Sequence, residues 1–167
     1  FAMANRKDFG VVPYVTDKDY VVNSYHVDPR ENIDAFTKLE IEGEYLALSA
    51  GGAVSYVETL DLSHNKEAII SIIQWMHEHI VYAEFNRKIG VCYQCGYEGD
   101  IELTKTTDGD FVFTCPCCGN QDDSKMNVVG RLCGYLGQIS SGNTNKGRLD
   151  DIYHREIHLD CAEEATL

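Results

Sequence analysis

The sequence predicts an α/β chain that gives way, in its second half, to a small β module organised around cysteines. Three observations predict it. Tyr- and Val-rich runs alternate with amphipathic stretches as far as residue 87. The composition then shifts near residue 88, and apolar periodicity fades. Five of the seven cysteines, Cys92, Cys95, Cys115, Cys117 and Cys118, fall in two short clusters just beyond that shift. The expected division is 1–87 for strands and helices, 88–125 for the cysteine module and 126–167 for a glycine-rich loop and a last helix.

Residues 10–27, "GVVPYVTDKDYVVNSYHV", read as two short strands split by "TDKD", with Pro13 confining part of the first to an edge or a bend. "DPRENIDAFTKLE" reads as a helix capped by Asp28 with Pro29 in its first turn, and Ile33, Phe36 and Leu39 as its apolar stripe. "GGAVSYVETL" (51–60) alternates as a strand. The clearest helix is 63–85, where Ile69, Ile72, Ile73, Met76 and Ile80 recur at i, i+3, i+4 spacing behind Ser63 or Asn65 as cap. A polar helix is expected from about Asn145 to His158. No internal repeat or low-complexity tract interrupts this order.

Composition narrows the function classes. Hydrophobic residues at 44% and charged residues at 25% are those of an ordinary soluble globular chain. No apolar run approaches the ~20 residues of a membrane-spanning helix, and no basic stretch followed by an apolar h-region marks a secretory signal. Neither a membrane nor a secreted setting is expected. The opening "FAMANRKDFG" reads as a tag scar or a cut inside a longer polypeptide. A net charge of −13 argues against nucleic acid as partner, because phosphate neutralisation needs a basic face. The richest basic stretch, "NTNKGRLDDIYHREIHL", carries as many acids as Lys and Arg.

The cysteines form two knuckles, "CYQCGYEG" and "CPCCGN". Cys92-x-x-Cys95 and Cys115-x-x-Cys118 place paired thiols on tight turns, with Gly96 and Gly119 next in sequence to let backbone amides face the sulfurs. Between them "IELTKTTDGDFVFT" reads as a hairpin turning at Asp108-Gly109. Two knuckles joined by a hairpin make a zinc ribbon, four soft ligands around a structural Zn²⁺. Such a site contributes an apparent ~10–16 kcal/mol of binding, much of it folding free energy in so small a module. A redox dithiol would leave the second pair unused. An iron–sulfur cluster also fits four thiolates, though ribbon knuckles favour zinc; a disulfide ranks last. Cys117 competes with Cys118 as the fourth ligand, and the x-x spacing favours Cys118. An odd number of cysteines used this way suits a reducing cytoplasm. With three Lys against seven acids between residues 88 and 125, the ribbon is structural or a protein-docking surface rather than a nucleic-acid reader.

The stretch "GRLCGYLGQISSG" (130–142) has four glycines in thirteen residues and no strong helix or strand period. A turn would explain them. However, "RLCGYLG" resembles the R-V-x-G-Y-x-G signature of glycyl radical enzymes, with Leu132 in place of the common Val. A four-cysteine ribbon directly before that signature is similar to the C-terminus of the anaerobic (class III) ribonucleoside-triphosphate reductases. "NSYHV", "GGAVSYVE", the long helix, "CGYEG" and the tail "NKGRLDDIYHREIHL" resemble that family in the same order, so the resemblance covers most of the chain. The loop plus ribbon is its specific part.

The resemblance implies a role for each part. Residues 1–87 would be late elements of a ten-stranded barrel, and Gly134 would store the radical. Donation from the amide nitrogen and withdrawal by the carbonyl stabilise a planar Cα radical, and a side chain would crowd that planarity. An activase using S-adenosylmethionine and a [4Fe–4S] cluster would remove the Gly134 hydrogen. In the full enzyme the radical would pass to a finger-loop cysteine, whose thiyl takes the 3′-hydrogen of a ribonucleoside triphosphate before the 2′-hydroxyl leaves. That cysteine, the nucleotide-binding barrel and an effector-binding region would precede Phe1, so the partners implied are the rest of the chain, the activase, substrate and effector nucleotides, and a second copy as a homodimer. The chain alone is not expected to reduce nucleotides.

Neighbouring residues receive plainer expectations. Cys133 is a bystander to the radical carbon, Tyr135 packs the loop into its slot, and Arg131 anchors it. His154 and His158, at i and i+4, are expected on one helical face toward solvent or an interface. Asn23 and His26 read as barrel-wall polar residues, and Cys161 receives no role. Two rival functions stand beside the reductase. One is a stand-alone spare radical domain, which would carry its own start Met; the other is a zinc-ribbon adaptor, in which Gly134→Ala would be silent.

Overall fold

The computed structural model describes residues 27–131 and 136–159. The strands expected at 10–26, with Asn23 and His26, lie outside the described residues, as do Cys133, Gly134, Tyr135 and Cys161. Two compact units emerge. One contains residues 88–131 and 136–154, the other residues 27–87 and 155–159.

The second unit is a β–α–β element with a helix before it. Helix α1 (Ala35–Leu46) starts six residues later than the sequence suggests. Asp28 and Pro29 form a separate turn, in which Asp28 accepts from the Glu31 N–H, and Asp34 is the cap, accepting from the N–H groups of Phe36 and Thr37. Both aspartates are good caps, but Asp34 satisfies two orphan amides at the start of the apolar stripe. The buried face of α1 is Ala35, Lys38, Leu39, Glu42 and Leu46, whereas Phe36 remains 37% exposed. Strand β1 (Ser55–Glu58) occupies only the centre of the 51–60 run. Helix α2 (Lys66–His79) is capped by Asn65, whose side chain accepts from Ala68 N–H.

Helix α2 stops short of the expected residue 85. The Val81-Tyr82-Ala83-Glu84-Phe85 run supplies strand β2 (Ala83–Asn86), which pairs in parallel with β1 from Ser55↔Ala83 to Glu58↔Asn86. A β-rich run directly after an amphipathic helix shares its apolar character, so periodicity alone merges the two. Ile72 is fully buried with Ala35, Leu39, Val57, Leu62 and Leu159, while Ile73 is half-exposed.

A polar network lies within this core. The Lys38 ammonium, 3% exposed, is 2.8 Å from the Glu42 carboxylate, which also accepts from Ser55 Oγ and from Val27 N–H. Segment 155–159 joins β1 through a Thr59↔Leu159 bridge and the His158 N–H to Glu58 carbonyl bond. The His158 ring is buried and accepts at Nδ1 from Glu58 N–H at 3.0 Å. Burial, then the Lys38 charge, push its pKa down to about 4 against the opposing pull of Glu42, with Arg155 adding to the depression.

The first unit is built on a four-stranded antiparallel sheet whose strands lie in the order Tyr97–Gly99, Ile89–Cys92, Met126–Arg131, Leu136–Ile139. Its strands are β3 (Ile89–Cys92), β4 (Tyr97–Gly99), β7 (Met126–Arg131) and β8 (Leu136–Ile139). A separate hairpin pairs β5 (Glu102–Lys105) with β6 (Phe111–Thr114), as the sequence suggests, around a turn closed by Gly109 N–H to Thr106 O. Gly90 in β3 is required by space: a Cβ there would meet Ile101 Cγ1 at 2.6 Å. Ile101, Leu103, Phe111, Phe113, Met126, Val128 and Ile139 share one core with Leu149 and Ile152 of helix α3 (Lys146–Tyr153), so the helix is fixed on the hairpin by its apolar face. The boundary drawn at residue 125 thus runs through a sheet and a shared core.

Helix α3 ends at Tyr153 rather than His158, with Asn145 as its cap. His154 stays near the helix end in one unit and the buried His158 belongs to the other, so the expected shared face for the two histidines is not formed.

Candidate metal centre

The two knuckles owe their shape to short-range hydrogen bonds. Gly96 N–H bonds to the Cys92 carbonyl at 2.8 Å, and Gly119 N–H bonds to the Cys115 carbonyl at 2.9 Å. Gly96 at φ +75° and Gly119 at φ +72° occupy the left-handed region, where glycine is at ease and other residues are strained. The turn geometry exposes the second cysteine of each knuckle and buries the first.

The tertiary fold then brings the knuckles together. Cys92 ends β3 and lies opposite Met126, the first residue of β7, while Cys115 directly follows β6. The Cys92, Cys95, Cys115 and Cys118 sulfurs all lie within 4.8 Å of one another. Two cross-knuckle pairs, Cys92–Cys118 and Cys95–Cys115, are 3.7 Å apart. A tetrahedral site with Zn–S bonds of ~2.3 Å has edges of about 3.8 Å; two of the six sulfur–sulfur distances match that value and the rest are within 4.8 Å. Cys117 is exposed and is not among these four.

The electrostatics point the same way. Burial pushes the Cys92 thiol up, but the N–H groups of Cys95 and Gln94 and the adjacent Cys118 and Cys95 thiols outweigh it, bringing the pKa down to about 6. The Tyr97 N–H draws Cys95 down, yet desolvation and the neighbouring thiols of Cys118, Cys115 and Cys92 leave it raised. Cys118 is drawn down by the Asn120 N–H, but desolvation and the Cys115 and Cys92 thiols leave it raised too. Four sulfurs this close cannot all be thiolates without a cation among them. Chemically, the cluster offers an all-sulfur site of four ligand atoms.

Residues that the sequence reading passed over complete the surroundings. Asn120, 8% exposed, directs Nδ2 at the Cys92 sulfur from 3.8 Å. Asp123 accepts from Gly142 N–H at 3.1 Å and from Ser141 Oγ at 3.4 Å, tying the turn beyond the second knuckle to the segment that follows β8. The only sequence signal for Asn120 is its place after "CPCCG"; none singles out Asp123.

The glycine-rich stretch is less irregular than its sequence suggests. Strands β7 and β8 flank it, paired from Val128↔Ile139 to Arg131↔Leu136. Arg131 ends β7, and Gly134 lies among the four residues joining the strands, outside the described residues.

Comparison with known proteins places this arrangement in a family. A profile described as anaerobic ribonucleoside-triphosphate reductase matches residues 1–158. The enzyme of that name from Escherichia coli (strain K12) is 36% identical over 159 residues, which are 95% of this chain and 22% of the relative. Its counterpart in Enterobacteria phage T4 is 35% identical over 158 residues, 95% of this chain and 25% of the relative. The chain thus spans a quarter or less of the length of these relatives. Among solved structures, an anaerobic ribonucleotide reductase overlays with a TM-score of 0.63 at 21% identity, covering 93% of this chain and 23% of that one. The Thermotoga maritima enzyme, described with glycerol in its active site, gives 0.52 at 24% identity, covering 91% of this chain and 21% of that chain. At these identities the overlays speak for the fold. The chain belongs to the anaerobic ribonucleoside-triphosphate reductase family.

Proposed function

We propose that this chain is the C-terminal, radical-bearing part of an anaerobic ribonucleoside-triphosphate reductase, with Gly134 as the radical store and Zn²⁺ held by Cys92, Cys95, Cys115 and Cys118. The observation that carries this reading is the continuity of the four-sulfur cluster with the "RLCGYLG" loop. Cys92 ends β3, β3 pairs with β7, and β7 runs directly into that loop. Zinc in a closed site of four thiolates is structural: it crosslinks the knuckles and fixes where β7 begins. Residues 27–87 contribute a parallel strand pair and its helices to a larger, ten-stranded barrel. An isolated parallel pair is rare because parallel sheets are usually larger and covered on both faces, which supports this reading.

In the assembled enzyme, an activase using S-adenosylmethionine and a [4Fe–4S] cluster takes one Cα hydrogen from Gly134. The captodative radical left there needs a planar centre, which glycine allows. The rest of the reductase chain supplies the cysteine that receives the radical and the site for the ribonucleoside triphosphate, and effector nucleotides and a second subunit complete it. The setting is an anaerobic, reducing cytoplasm, and the product feeds DNA synthesis.

Electron paramagnetic resonance of the full-length enzyme after anaerobic incubation with its activase, S-adenosylmethionine and a reductant tests this. A doublet from one Cα hydrogen is expected, absent in Gly134→Ala and followed by cleavage at residue 134 on exposure to air. An unchanged signal in Gly134→Ala, or no signal in the wild type, removes the radical role and leaves a ribbon with a glycine-rich turn.

A further inference from the structure

We propose that Asn120 is the positioning residue of the four-cysteine site, a cross-strut that holds both knuckles in ligand geometry and supplies a side-chain donor to the Cys92 sulfur; this rests on the metal reading above. Three of the four ligands meet Asn120. Its carbonyl accepts from Cys115 N–H at 2.9 Å, its N–H donates to the Cys118 sulfur, and its side-chain Nδ2 reaches the Cys92 sulfur at 3.8 Å. The first two contacts are made within its own knuckle. The third crosses to the other knuckle and depends on the side chain.

The orientation of the amide is fixed by its neighbours. Asp122 N–H donates to Asn120 Oδ1 at 3.2 Å, which only the oxygen end can accept. Nδ2 is thereby turned toward Cys92, and its second proton reaches the Asp122 carbonyl at 3.5 Å. With the residue 8% exposed, little water competes for these bonds. The equivalent place in the first knuckle is Tyr97, whose hydroxyl turns away to the Asp100 carbonyl. The device is therefore one-sided, and it adds a donor to the sulfur already facing the N–H groups of Gln94 and Cys95. Donors to a metal-bound thiolate lower its charge density and fix its direction, and losing such a partner typically costs 10–100-fold in metal affinity.

Asn120→Asp separates this role from mere space-filling. Aspartate keeps the shape and the Oδ1 acceptor for Asp122 N–H, but sets an anionic oxygen against the Cys92 sulfur. In the full-length protein, zinc affinity measured by chelator competition should fall roughly 10–100-fold in Asn120→Ala and at least as far in Asn120→Asp. In the Co²⁺-substituted protein the thiolate-to-metal charge-transfer band should move to lower energy in both variants, since the sulfur lone pairs lose a donor. If Asn120→Asp does not fold, Asn120→Ala, which adds no charge, carries both readouts. Wild-type zinc affinity with an unmoved band in the variants overturns the assignment while leaving the metal site standing. Wild-type protein that binds neither Zn²⁺ nor Co²⁺ with tetrahedral thiolate spectra overturns both.

Discussion

Lowering the pH should expel metal from the four-cysteine site with a steepness that the structure sets. Cys95 and Cys118 both have raised pKa values, so at pH 7 each holds a proton that must leave before its sulfur can bind metal. Cys92, near 6, is already a thiolate at pH 7 but takes up a proton below that. Metal binding at pH 7 should therefore release at least two protons, and the logarithm of affinity should rise with pH with a slope of at least two. Below pH 6 the Cys92 proton adds to the count and the slope should approach three or more. Protons compete with the metal for the sulfurs, so affinity falls as pH falls. Titration calorimetry of Zn²⁺ binding in buffers of different ionisation enthalpy counts the protons, and chelator competition between pH 5.5 and 8 gives the slope. A release of one proton or fewer would falsify the four-thiol ligand set. Cys117→Ser should leave both quantities unchanged.

Further outcomes concern the two units separately. Glu42→Gln strands the buried Lys38 ammonium without its carboxylate, and breaking such a pair costs about 3–5 kcal/mol in urea unfolding of the full chain; a loss below 1 kcal/mol would show that the network is hydrated. Gly90→Ala should cost about 1–3 kcal/mol by forcing Ile101 off its place, and that cost should shrink when it is introduced into an Ile101→Ala background. Simple additivity would contradict the contact. The depressed pKa of His158 means that the unfolded chain binds the extra proton between pH 6.5 and about 4. Stability should therefore fall as pH drops through that window, and His158→Asn, which keeps an acceptor for Glu58 N–H, should flatten that part of the profile. An equally steep profile in the variant would assign the effect to other groups.

What the sequence discloses and what it hides follow from the range of the forces involved. The knuckles, their glycines and the Asp108-Gly109 hairpin are readable because each is decided within about ten residues, by ligand spacing and positive φ. The helix boundaries misread at 28 and 85 are also local, but two rules of equal strength compete there: two aspartates that can cap, and a helix whose apolar run passes into a strand. The Lys38–Glu42–Ser55 network was out of reach for a different reason. A Lys and a Glu at i, i+4 usually mark a solvated helix face. Only the packing of α1 on β1, which brings Ser55 to the same carboxylate, turns that face inward. Asn120 was hidden similarly, since an amide after a knuckle gains meaning only when β3 brings Cys92 within reach.

The order of the first sheet links the proposed metal site to the strand that leads into the "RLCGYLG" stretch. Cys92 lies opposite Met126, and five further residues of β7 lead to Arg131 at the loop's edge. At ~3.3 Å per residue that is about 17 Å along the strand. The connection is one of register. Met126, Val128 and Gly130 face the core in strict alternation, so a slip of one residue at the knuckle would turn all three outward and shift Arg131 against Leu136. On the reading proposed above, a metal held at the knuckles would fix the start of β7, the buried alternation would carry that choice along the strand, and Asp123 holds the returning chain at Gly142.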